Sequence, residues 1–159
     1  DVCSSDLGPH HKKLTVHRGI SPLVLVAPNE MSTKLARSLQ PESVPHTDAV
    51  FNVSRSALLV AALTQSPELM MAATEDRLHQ NYRASAMPET SKLISNLREK
   101  GHPAVVSGAG PSVLVLEGDP QNRLLAVEYV KKEFSPWQAL ALAVDFKGAS
   151  LEGQSGSGS

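Results

Sequence analysis

The stretch Val105-Val106-Ser107-Gly108-Ala109-Gly110-Pro111-Ser112-Val113-Leu114-Val115-Leu116 joins two short apolar runs through a loop of small residues. Runs rich in valine and leucine, punctuated by glycine, proline and serine, predict two paired strands. One reading of the loop is a hairpin turn, where glycines supply positive φ at no steric cost. A second reading is an anion cradle. Glycine lets the backbone approach a ligand closely, and successive N–H groups form a nest for negative charge.

Working outward, Pro88 suits the first turn of a helix that ends near Lys100, with Gly101 as its stop and Leu93, Ile94 and Leu97 facing the core. After the hairpin, Asp119-Pro120 opens a helix running to about Glu133. Trp137 to Phe146 alternates, with Leu140, Leu142, Val144 and Phe146 on one side, which predicts a half-buried closing strand.

Upstream, Pro22 to Pro28 is a proline-bounded apolar run that predicts a buried central strand. A loop and a short helix over Lys34 to Leu39 follow, capped by Ser32 or Thr33 and ended by Pro41. Thr47 is the expected N-cap of a long helix to about Leu63, with Asp48 favourable in its first turn. Its buried stripe is expected to be Val50, Phe51, Ser54, Ala57, Leu58 and Ala61, with Asn52, Arg55 and Leu59 on a neighbouring face. Pro67 to Ala73 predicts a second short helix, and Glu75 to Tyr82 either continues it or forms another. The element order predicts an α+β fold of ferredoxin-like type. It has four antiparallel strands, helices on one face, and an extra helical segment.

The 159 residues suffice for one domain with a core. Fifteen basic and sixteen acidic residues leave a net charge of −1, and the basic residues are scattered, so no nucleic-acid partner is expected. Cys3 is the single cysteine, which excludes an internal disulfide and fits a cytoplasmic location. No apolar run is long enough for a membrane span, and no signal peptide is visible. Residues 1–13 read as a foreign or disordered leader, 14–151 as the domain, and 152–159 as a flexible Gly/Ser tail.

Three stretches carry polar groups that packing does not require. Thr33 and Arg37 stand at i, i+4 after the first strand, either on a solvated helix face or placed so that Arg37 grips a carboxylate. The run Glu75 to Arg83 is either a charged surface or the source of a second arginine and of a histidine that titrates near neutrality. Asn52 and Arg55 are expected to organise nearby loops. The histidines are scattered and follow no metal-ligand spacing, so no metal site is expected. No nucleophile elbow or GxxxxGK[ST] loop is present, and the catalytic residues stay unassigned.

The runs PNEMSTKLAR, FNVSRSALLVAAL, ATEDRLHQNYRASAMPET and AVVSGAGPSVLVL, in that order, resemble the C-terminal half of homoserine kinases. These enzymes form part of the GHMP small-molecule kinase superfamily, and the actinobacterial form is the most similar. The resemblance covers about residues 14–150 and implies a GHMP kinase C-terminal domain. It also implies transfer of the ATP γ-phosphate to L-homoserine in threonine biosynthesis, with Mg²⁺. Thr33, Arg37 and Arg83 match family positions near the substrate, and two arginines suit an amino-acid carboxylate. Ser107, Gly108, Ala109, Gly110 and Ser112 match the family's third, glycine-rich motif beside the transferring phosphate.

The family's N-terminal PxxxGLGSSAA loop has no counterpart here. ATP and Mg²⁺ are therefore expected to bind mainly to that other half, and this chain alone is expected to be inactive. The resemblance admits a homodimer. The competing readings are a GHMP kinase acting on another small alcohol, or a stand-alone ferredoxin-like module for ligand binding or dimerisation.

Overall fold

The computed structural model describes residues 12–146. Most of the expected leader over 1–13, the end of the expected domain at 147–151, and the tail over 152–159 lie outside the described residues.

Strand β1 spans Ser21–Val26, β2 spans Ala104–Val106, β3 spans Val113–Glu117 and β4 spans Gln138–Ala141. They form one sheet in the order β2-β3-β1-β4, and each neighbouring pair is antiparallel. This is the four-stranded α+β arrangement expected from the sequence. Burial along β1 and β3 alternates, as a pleated strand with one face on a core requires.

Two helices cover that face. Helix α5 (Pro88–Glu99) packs on β2, and α6 (Pro120–Glu133) packs on β1, β3 and β4. Leu23, Leu25, Val113 and Val115 meet Leu93, Leu97, Ala126 and Val130 in the main core. Pro88 and Pro120 both sit at the first turn of their helices. Asp119 caps α6 by accepting from Gln121 N at 2.8 Å. Gly101 takes φ 87° just past α5, the left-handed conformation that stops a helix.

The extra helical segment contains α1 (Thr33–Ser38), α2 (His46–Thr64), a 3₁₀ turn (Pro67–Leu69), α3 (Met70–Ala73), α4 (Gln80–Arg83) and a second 3₁₀ turn (Ala84–Ala86). Helices α2 and α3 close a smaller core of Ile20, Ala62, Met70 and Ala73, against which Leu116 and Val144 pack. Alternation puts Leu116 on the opposite side of β3 from Val115.

The structure corrects four local expectations. Ser32 precedes α1 without a side-chain capping bond. Helix α2 begins at His46 rather than after Thr47, because the Pro45 carbonyl already accepts from Asp48 N and Ala49 N and its φ of −57° suits a helix start. The α2 face is also rotated. Val50, Val53 and Val60 are exposed, Val53 to 71%, while Leu58, Leu59, Ala62 and Leu63 turn inward. Finally, β4 ends at Ala141, and Leu140, Leu142 and Phe146 are exposed. Leu142 N still donates to the Pro22 carbonyl at 3.0 Å, but Pro22 has no N–H to return, so the ladder stops.

Candidate functional site

The sheet register brings distant segments together. Leu25 pairs with Val113, so the exit of β1 lies beside the start of β3 and the loop before it. Helix α1 follows that exit and carries Thr33 and Arg37 one turn apart. From the other side, α4 delivers Arg83, whose Nη1 donates to the Gly108 carbonyl at 3.1 Å.

Thr33, Arg37, Arg83, Gly108 and Ala109 all line one cavity of about 460 Å³. Asp76, His79, Gln80, Val105 and Val106 complete its wall. Among the described residues, the Arg37 guanidinium has neither an ion pair nor a hydrogen bond, which leaves its planar donor face for a ligand. With the Gln40 carboxamide oxygen turned toward Arg83, that oxygen accepts from Arg83 Nε at 2.9 Å. Its nitrogen then donates to the Leu78 carbonyl at 2.8 Å. Arg83 is thus braced on two sides.

The glycine loop is a closed hairpin connection. Ser107 N donates to Ser112 O at 2.8 Å, and Gly110 N donates to Ser107 O at 3.0 Å. Gly108 takes φ 60° and Gly110 takes φ 90°, both in the left-handed region that favours glycine. A Cβ on Gly110 would lie 2.8 Å from Met87 Sδ, so the methionine would have to shift, and the backbone conformation is the stronger demand for glycine there. A Cβ on Gly108 would meet nothing, because that residue faces open space. Ser107, Gly110 and Ser112 therefore shape the loop without lining the cavity, and Gly108 and Ala109 line it. The Gly108 and Ala109 amides have no hydrogen-bond partner among the described residues.

The segment between α3 and α4 is held by side chains. Asn52 Nδ2 donates to Asp76 Oδ1 at 2.7 Å, and Asn52 Oδ1 accepts from Arg77 N at 2.9 Å. Arg55 pairs with Glu75 at 2.8 Å, and the guanidinium groups of Arg55 and Arg77 both stack on the Phe51 ring. Asn52 and Arg55 thus organise a neighbouring loop, as their position in the sequence suggested.

Asp76 and Gln80 were not singled out as site residues from the sequence. The available signal was local, since an aspartate just before a short helix is placed to accept from the next backbone N–H groups. Burial pushes the Asp76 carboxyl upward. Hydrogen bonds from Gln80 N, Asn52 and His79 outweigh that and hold it down at about 2. A depressed carboxylate adds stability above its unfolded pKa and loses it as pH falls through the folded value. We expect about 1–2 kcal/mol, allowing for solvent screening, to be lost between pH 4 and pH 2. Urea unfolding of the chain and of Asp76→Asn across that range checks this, and the stability gap between them should close on acidification.

The profile of the GHMP kinases C-terminal family matches residues 55–136. The homoserine kinase of Clavibacter michiganensis subsp. michiganensis is 69% identical over 146 residues, which cover 91% of this chain and 46% of that protein. The homoserine kinase of Leifsonia xyli subsp. xyli is 70% identical over 145 residues, covering 91% of this chain and 45% of that protein. The chain thus spans about half the length of the curated relatives it matches. The crystal structure of homoserine kinase from Cytophaga hutchinsonii superposes with a TM-score of 0.70 at 20% identity, over 82% of this chain and 43% of that one, and so shares the fold. With its sheet order, its glycine hairpin and its match over residues 55–136, the chain belongs to the GHMP kinase family as a C-terminal domain.

Proposed function

We propose that this chain forms the homoserine-binding side of a kinase that transfers the γ-phosphate of ATP to the hydroxyl of L-homoserine, giving O-phospho-L-homoserine. One observation carries this reading. Thr33, Arg37, Arg83 and the Gly108–Ala109 backbone, which are spread over more than seventy positions, line a single cavity. Relatives named homoserine kinase, at 69% and 70% identity, support the same reaction.

In this reading Arg37 and Arg83 hold the substrate carboxylate, and Thr33 contributes a hydroxyl beside it. The amides of Gly108 and Ala109 face negative charge at the transferring phosphate. Phosphoryl transfer depends on positioning and charge stabilisation more than on covalent chemistry, so fixed donors of this kind are useful contributions. ATP and Mg²⁺ are assigned mainly to the portion of the longer relatives that this chain does not match. Among the described residues no three histidine, cysteine or acidic side chains gather to hold a metal, and no step through Mg²⁺ is assigned to this chain.

The test is a chimera. The matching segment of the Clavibacter michiganensis protein is replaced by this chain, and ATP-dependent formation of O-phosphohomoserine is measured. Turnover is expected, with homoserine preferred over mevalonate and shikimate. A folded chimera that ignores homoserine but phosphorylates another alcohol overturns the reading.

A further inference from the structure

We infer that Asp76 is the positioning residue that locks the Arg83-bearing segment against the glycine hairpin. This rests on the substrate-site reading of Arg83 given above. Four residues of helix cannot hold themselves in place, because helix initiation is unfavourable and a single turn repays little of it. Helix α4 therefore needs an external anchor.

Asp76 supplies that anchor with both oxygens. Oδ2 accepts from His79 N at 2.9 Å and from Gln80 N at 2.7 Å. Oδ1 accepts from Leu78 N at 3.1 Å and from Asn52 Nδ2 at 2.7 Å, and lies 3.0 Å from His79 Nδ1. The carboxylate thus satisfies the backbone N–H groups leading into α4 and ties that turn to α2. Gln80 passes the constraint on, since its Oε1 accepts from Val106 N at 2.8 Å. Val106 is the last residue of β2, directly before the glycine loop. Arg83, one turn beyond Gln80, closes the circuit on the Gly108 carbonyl.

Asp76, Gln80 and Val106 also separate the substrate cavity from a second cavity of about 380 Å³ between α2, α4 and α5. Slack in that wall would let Arg83 swing away from Arg37. Asp76 makes no contact with the reacting atoms in this scheme. It acts through Gln80 and Arg83.

Asp76→Asn keeps the size of the side chain but exchanges one acceptor for a donor facing backbone N–H groups. Amide hydrogen exchange of the 159-residue chain is the first measurement. Gln80 N–H and Val106 N–H should exchange about tenfold faster or more in the variant, while Val113 and Val115 in the core strand stay protected. The second measurement is steady-state kinetics in the chimera. Asp76→Asn should raise the homoserine KM about tenfold or more, with a smaller fall in kcat as the Arg83–Gly108 contact loosens and with the ATP KM little changed.

Exchange at Gln80 and Val106 that is unchanged, or that rises only in step with Val113 and Val115, overturns the inference. So does a fall in kcat at constant homoserine KM. If the chimera with Asp76 intact does not phosphorylate homoserine, the substrate reading fails, and the exchange experiment still decides whether Asp76 positions Arg83.

Discussion

Replacing Arg83 with alanine is expected to raise the homoserine KM by about 30-fold or more, the equivalent of roughly 2–5 kcal/mol for a charge pair shielded from water. The structure explains the size of the effect. Arg83 is half-buried, donates to the Gly108 carbonyl at 3.1 Å, and has the Gln40 carboxamide beside its Nε, which that oxygen reaches once turned toward it. Its remaining donors sit beside Arg37 in one cavity, an arrangement suited to holding a planar carboxylate. On the proposed reading, truncation removes a partner of the substrate carboxylate and also frees the loop at Gly108, so some loss of kcat should accompany the rise in KM. Arg83→Lys should fall between, because lysine keeps the charge without the planar fork. Steady-state kinetics in the homoserine kinase chimera, with homoserine and ATP varied separately, measure this. An unchanged homoserine KM in Arg83→Ala would remove Arg83 from the substrate site.

Leu25→Ala is expected to lower the stability of the chain by about 2–5 kcal/mol. Leu25 lies on β1, which pairs with β3 on one side and β4 on the other, and its side chain is fully buried. Its surroundings are strands paired along both edges and two packed helices, which cannot collapse into the space a leucine leaves. A loss of this size is a large share of the 5–15 kcal/mol typical of a domain, so the variant should unfold at a clearly lower urea concentration. Urea unfolding at 25 °C gives the difference directly. The contrasting substitution is Val53→Ala on α2, where 71% exposure leaves little to lose and the change should stay within about 0.5 kcal/mol.

Much of the candidate site, as a cavity lined by Thr33, Arg37, Arg83, Gly108 and Ala109, was legible before the fold was known. Arg37 and Arg83 stand in stretches rich in polar groups that packing does not need, and the glycines of the 107–112 loop require conformations other residues resist. These are statements about residue chemistry, which tertiary context does not alter. Asp76 was harder to see because aspartates are usually solvated. Its contact with Gln80 N is local, but the role proposed for it also depends on Asn52, which meets Asp76, and on Val106, which meets Gln80, and these two contacts form only after the chain has closed on itself.

The sequence by itself determined the hairpin at Val105–Leu116, the starts of α5 and α6 at their prolines, and the stop at Gly101, because each follows from a local steric or hydrogen-bonding rule. It also determined the four-stranded α+β class, through the order and period of its apolar runs. Only the tertiary structure decided which face of α2 is buried. That face is chosen by Ile20, Met70 and Ala73 on one side and by the Asp76–Arg77 loop on the other. It also decided where β4 ends, since a strand extends only as far as its partner offers hydrogen bonds, and Pro22 offers a carbonyl alone.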